Sequence, residues 1–109
     1  MESIKTRIHE HIKRNPATTF AELSDRIEGF NGELCVHVPD YPNIVLWVKV
    51  SAEAVQAILE LHQEKKIKTI PSTALVYLMD GKGLTLPIAR QARQYKKPHW
   101  SPVVFSVIK

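Results

Sequence analysis

Apolar residues return at helical spacing from the start of the chain. Ile4, Ile8 and Ile12 recur every four residues while Lys5, Glu10, Lys13 and Arg14 fall elsewhere on the wheel, which predicts an amphipathic helix over 2–14. Asn15-Pro16 ends it, because a residue before proline is driven away from α geometry. In the following ATTFAELSDRIEGF, Thr19 and Glu22 have capping-box spacing. Phe20, Leu23 and Ile27 share one face of a short second helix, with Gly29 or Gly32 as its exit. The period then drops to two. Leu34, Val36 and Val38 alternate with Cys35 and His37 over Glu33–Val38. A turn-rich loop, Pro39–Asn43, separates this strand from the β-prone run Ile44–Val50, and the two strands predict a hairpin.

Helical spacing resumes at Ser51, an N-cap residue followed by Glu53 in the first turn. Val55, Ile58, Leu59 and His62 form the expected inward stripe with Ala54 and Leu61 at its edges; Glu53, Gln56, Glu60, Gln63 and Glu64 are the polar positions. Ile67–Ile70 reads as a short strand closed by Pro71, and Ser72–Met79 as a second strand buried on both faces. Asp80-Gly81-Lys82-Gly83 has the composition of a hairpin turn. Beyond it, either Leu84–Pro87 returns as a strand or Pro87 opens a short helix to about Lys96. Trp100–Ile108 predicts a final strand that begins properly at Val103 or lies at an edge, because of Pro102. The elements sum to one α+β domain over 1–109, in the order α-α-β-β-α-β-β-(short α)-β, with a small antiparallel sheet packed on helices.

The phrase HIKRNPATTFAELSDRI, together with the helix-and-hairpin stretch Ser51–Pro87, resembles winged-helix and helix-turn-helix proteins. In those proteins a first helix ends in Asn-Pro and a Thr-capped second helix follows. The resemblance implies a winged-helix-like fold and DNA binding. The strand pair at 33–50 departs from the simple layout, which has only a turn or short strand at that place. The outward positions of the central helix also depart from it, since three carboxylates there would face DNA phosphates.

Composition narrows the classes further. The chain has 109 residues, 44% hydrophobic and 24% charged, which is ordinary for a single globular domain. One cysteine, Cys35, forms no internal disulfide, so a reducing, cytoplasmic setting is expected. The unbroken apolar runs, Ile44–Val48 among them, are far too short to span a bilayer, and no membrane partner is expected. Charge is uneven. Residues 1–80 hold nine Lys/Arg against eleven Asp/Glu, whereas residues 81–109 hold Lys82, Arg90, Arg93, Lys96, Lys97 and Lys109 with no acid. Such a segment attracts polyanions through its summed field.

These residues make the candidate site. Lys82, Arg90, Arg93, Lys96 and Lys97 are the expected nucleic-acid contacts, in a basic wing beside Tyr95, His99 and Trp100; Trp100 is expected in the core. Gly81-Lys82-Gly83 lacks the spacing of a phosphate-binding P-loop. The five histidines form no metal pattern, and Cys35 with His37 supplies only half a zinc site. No catalytic set and no cofactor is expected. Two functions stay open: a non-enzymatic binder of duplex DNA or another polyanion, or a protein-interaction module. The second would dock a partner or a second copy through the acidic central helix or the 33–50 hairpin, with Tyr41 and Trp47 exposed.

Overall fold

The computed structural model describes residues 2–108; Lys109 of the acid-free segment lies outside them. Helix α1 (Ile4–Arg14) is capped by Ser3, whose hydroxyl accepts from the Thr6 N–H, and buries Ile8 and Ile12. A two-residue strand, β1 (Thr18–Thr19), precedes α2 (Phe20–Arg26). Thr19 Oγ1 accepts from the Glu22 N–H at 3.0 Å, the cap expected from its spacing, and Gly29 at φ +84° supplies the exit. Strands β2 (Asn31–Val38) and β3 (Tyr41–Val50) form the expected hairpin, although its turn is only Pro39-Asp40 because Tyr41 already pairs with Val38. Gly32 is held against Ser51: a Cβ there would lie 2.5 Å from Ser51 Cα.

Ser51 caps α3 (Ala52–Gln63), accepting from the Ala54 N–H while donating to the Gly29 carbonyl at 2.7 Å. The inward face is Ala54, Ala57, Ile58 and Leu61; Leu59, expected on the stripe, is 49% exposed. His62 sits at the boundary, sharing a 2.7 Å hydrogen bond with Thr69 Oγ1, and desolvation lowers its pKa. Lys65 takes the left-handed position (φ +59°) after the helix, where glycine is usual.

The architecture is α+β, as expected, with two small sheets instead of one. After β4 (Ile67–Pro71) come α4 (Ala74–Met79), β5 (His99–Trp100) and β6 (Val103–Val107). The first sheet has the order β1-β6-β4 and is antiparallel throughout. The second has the order β2-β3-β5, in which β5 runs parallel to β3. Three local expectations change. Ser72–Met79 is helical from Ala74 onward: β4 takes β6 as its ladder partner, and Ala, Leu and Met favour helix. The final strand is split at Ser101-Pro102 into β5 and β6, one in each sheet. The third change, at 84–96, belongs to the candidate site.

An aromatic cluster joins the two sheets. Trp47 of β3 lies 5.1 Å from Tyr77 and 6.2 Å from Trp100, and stacks near-parallel on Phe20 at 6.4 Å. Phe20 in turn meets Phe105 of β6 edge-on at 4.9 Å. Tyr77 is the one buried residue of α4; Leu75, Leu78 and Met79 are 66%, 64% and 80% exposed. Its hydroxyl donates to the Val103 carbonyl at 2.6 Å and accepts from the Phe20 N–H at 3.1 Å, so one side chain ties α4 to α2 and β6.

Burial pushes the Tyr77 phenol up to about 12, from 10. The folded state therefore keeps its proton where the unfolded chain loses it. The associated stability, about 2–3 kcal/mol, is complete below pH ~10 and is lost as pH rises toward ~12. Tyr77→Phe should cost about 1–3 kcal/mol at neutral pH, by stranding a buried N–H and a buried carbonyl. Urea unfolding at pH 7 and at pH 11 checks both effects: the wild-type protein should lose the larger share of its stability on alkalinisation.

Candidate functional site

Between α4 and β5 the chain is irregular. Neither the expected strand at 84–87 nor the expected helix from Pro87 to Lys96 forms. The backbone is used differently: Trp100 N–H donates to the Pro87 carbonyl at 2.7 Å and Ala89 N–H to the Trp100 carbonyl at 2.8 Å, a bridge that fixes both ends of an excursion. Inside it, the Tyr95 hydroxyl accepts from the N–H groups of Arg90 (3.1 Å) and Gln91 (3.2 Å), amides that in a helix opened by Pro87 would make the first intrahelical bonds. Two amide side chains moor the excursion to the β2–β3 hairpin. Asn43 Nδ2 donates to the Tyr95 carbonyl at 2.7 Å, and Gln94 Nε2 to the Asp40 carbonyl at 2.8 Å.

The five cations separate into two groups. Lys82 is engaged: its ammonium donates to Ser24 Oγ at 3.0 Å and pairs with Asp25 of α2 at 2.5 Å. Arg90, Arg93, Lys96 and Lys97 are exposed, and among the described residues none of them pairs with a carboxylate. They surround a stack of flat groups. Arg93 Cζ lies 4.6 Å from the Tyr95 ring centroid, and Tyr95 stacks on His99 at 3.9 Å with 24° between planes. Desolvation opposes ionisation of Tyr95, but the Gln91, Arg93 and Arg90 donors and the Arg93 charge together outweigh it and hold the phenol below its ordinary pKa. Two depressions, of about 320 and 370 Å³, share Arg93, Tyr95 and His99 as lining; Arg90 adds to the first, Lys96 and Lys97 to the second.

Other expected positions fall elsewhere. Gly81-Lys82-Gly83 follows α4 and is no hairpin tip: the N–H groups of Asp80, Gly81 and Lys82 donate back to α4 carbonyls, which leaves them nothing to offer a phosphate. Trp100 is 2% exposed, as expected for a core residue. Trp47, expected to be available for docking, is 6% exposed and central to the aromatic cluster. Cys35 lies on the exposed strand β2, and partial burial pushes its thiol up, away from nucleophilic thiolate character. Among the described residues no cluster of three or more His, Cys, Asp or Glu is placed to hold a metal, and no helix is long and apolar enough to cross a membrane.

The outward face of α3 is acidic, as its sequence indicates. Gln56 and Lys5 hold Glu60 below the ordinary carboxylate pKa, and Lys5 and Lys66 do the same for Glu64, so both stay charged at neutral pH. Sequence reasoning missed Asn43 and Gln94. Both are polar residues in turn-like contexts, and no local signal shows that their amides reach 52 and 54 positions along the chain. No family model, curated protein or solved structure matches the chain.

Tyr95→Phe isolates the local role of the hydroxyl. The Arg90 and Gln91 amides should exchange with solvent roughly five- to tenfold faster, with global stability little changed, because the hydrogen bonds removed are exposed. Amide-resolved hydrogen exchange by NMR checks this; unchanged rates would show that the hydroxyl does not order the loop.

Proposed function

We propose that the chain is a small, non-enzymatic, winged-helix-like module that binds nucleic acid through the moored loop at 88–99 instead of through its central helix. Element order supports the first half. A helix, a short strand, two further helices and a three-stranded sheet of order β1-β6-β4 follow the winged-helix plan, with the 31–50 hairpin inserted before α3 and the 72–100 region inserted between β4 and β6. The second half is carried by one observation: four exposed cations without carboxylate partners among the described residues, grouped around a Tyr95–His99 stack. Cations so placed exchange condensed counterions for phosphates, while flat groups accept bases. The absence of any Lys or Arg from α3, whose charged residues are Glu53 and Glu60, argues against groove reading by that helix.

A salt titration with fluorescein-labelled mixed-sequence DNA tests the reading. Neutralising Arg90, Arg93, Lys96 and Lys97 to Gln together should flatten the plot of log affinity against log salt by about 3 units, near one unit for each phosphate that a cation no longer neutralises. Lys82→Gln should change the slope by less than about half a unit, since Asp25 already neutralises that ammonium. Absence of binding at about 50 mM salt would overturn the proposal.

The protein-interaction reading keeps one specific observation in its favour, the exposed apolar face of α4 formed by Leu75, Leu78 and Met79. The version built on Trp47 loses its aromatic anchor, which is buried.

A further inference from the structure

We infer that the 88–99 loop selects single-stranded over duplex nucleic acid, with adjacent bases lodging in the two depressions that share Arg93, Tyr95 and His99 as lining. This rests on the nucleic-acid reading above and adds the form of the ligand. Each depression combines the shared planar groups with at least one cation of its own, Arg90 in the first and Lys96 and Lys97 in the second. That is the pairing a nucleotide needs, a face for its base and a charge for its phosphate. Their volumes, about 320 and 370 Å³, lie near the lower end of the roughly 300–1,000 Å³ typical of small-ligand pockets. Each therefore suits one nucleotide unit and is far too small for a double helix.

Duplex DNA fits this surface poorly. Its bases are reached only through the grooves, and the major groove admits a helix or a two-stranded ribbon. The 88–99 loop offers neither, being irregular until β5 begins at His99. A single strand exposes its base faces, and every base has a face to stack, so recognition would tolerate many sequences. Arginine serves this purpose better than lysine because its guanidinium is flat, and Arg93 Cζ already lies 4.6 Å from the Tyr95 ring centroid. The loop is also fixed before any ligand arrives. Asn43, Gln94 and the Tyr95 hydroxyl hold its backbone, so binding spends little on ordering it.

The experiment compares three labelled probes of equal length with the full chain, by fluorescence anisotropy at matched salt. The first is oligo(dT), the second the same strand with abasic tetrahydrofuran sites throughout, and the third the dT·dA duplex. Oligo(dT) should bind at least about tenfold more tightly than the abasic strand, which has the same phosphates and no bases. It should also bind at least about tenfold more tightly than the duplex. Arg93→Lys keeps the charge and removes the planar surface, so it should narrow the gap between oligo(dT) and the abasic strand while leaving the salt slope unchanged. His99→Ala should narrow the same gap by removing the ring that stacks on Tyr95. Equal affinity for oligo(dT) and the abasic strand, or a preference for the duplex, would overturn the single-strand inference and leave phosphate binding standing. Failure of all three probes to bind would overturn both.

Discussion

The hydroxyl of Tyr77 lies between two backbone groups that belong to different parts of the fold, the N–H of Phe20 at the start of α2 and the carbonyl of Val103 at the start of β6. Around it the Trp47, Trp100, Phe20 and Phe105 rings fill the space between the two sheets. No other residue of α4 is fully buried, so this side chain is the main anchor of the helix, with Ala74 packed against the core and Asp80 accepting from the Thr19 hydroxyl as its lesser ties. Burial of a large aromatic is worth about 2–3 kcal/mol, and satisfaction of two otherwise stranded backbone groups adds roughly another 1–3 kcal/mol. Tyr77 is thus a single point at which the α2 cap, the β6 strand and the entry to the 81–98 excursion are made mutually dependent.

That dependence reaches the candidate site through Trp100. Trp100 packs edge-on against Tyr77 at 5.0 Å, pairs with Val45 in the parallel ladder, and exchanges backbone hydrogen bonds with Pro87 and Ala89. The excursion carrying Arg90, Arg93, Lys96 and Lys97 begins and ends on this residue. Its middle is moored to the hairpin by Asn43 and Gln94. A segment with no regular secondary structure is thereby held at both ends and at its centre. Its cations stay exposed because the chain beyond residue 80 carries no acid to pair with them locally, while Lys82, nearest to α2, is drawn to Asp25.

What is legible in the sequence is local. Thr19 and Ser51 announce helix starts because a cap is a bond to a residue three positions on, and Gly29 announces an exit because its left-handed backbone suits glycine. The 31–50 hairpin follows from its period of two and its turn residues. Ser72–Met79 reads as a strand and folds as a helix because an apolar run of that length fits either, and β4 takes β6, not this segment, as its ladder partner. The 84–96 segment reads as a strand over Leu84–Pro87 or a helix from Pro87 to about Lys96 and forms neither, because its amides bind the Tyr95 hydroxyl and the Trp100 backbone instead of helical carbonyls. Lys82 reads as a free cation until the fold brings Asp25, 57 positions away, against it. For β6 and for Asp25 the deciding partner is distant in sequence, where propensity and spacing carry no information.

The central claim is that one aromatic joint couples the two sheets and fixes the ends of the basic loop. Native-state hydrogen exchange of a Trp47→Leu variant tests it most directly, because Trp47 touches Phe20, Tyr77 and Trp100 but makes no ladder bond to the first sheet. The account predicts that protection falls together, and by a similar factor, at Thr69 and Phe105 in the first sheet and at Ser101 and Ala89 beside the loop. Loosening confined to the β2–β3 hairpin, with the β4–β6 ladder and the Trp100 bridge as protected as before, would contradict it.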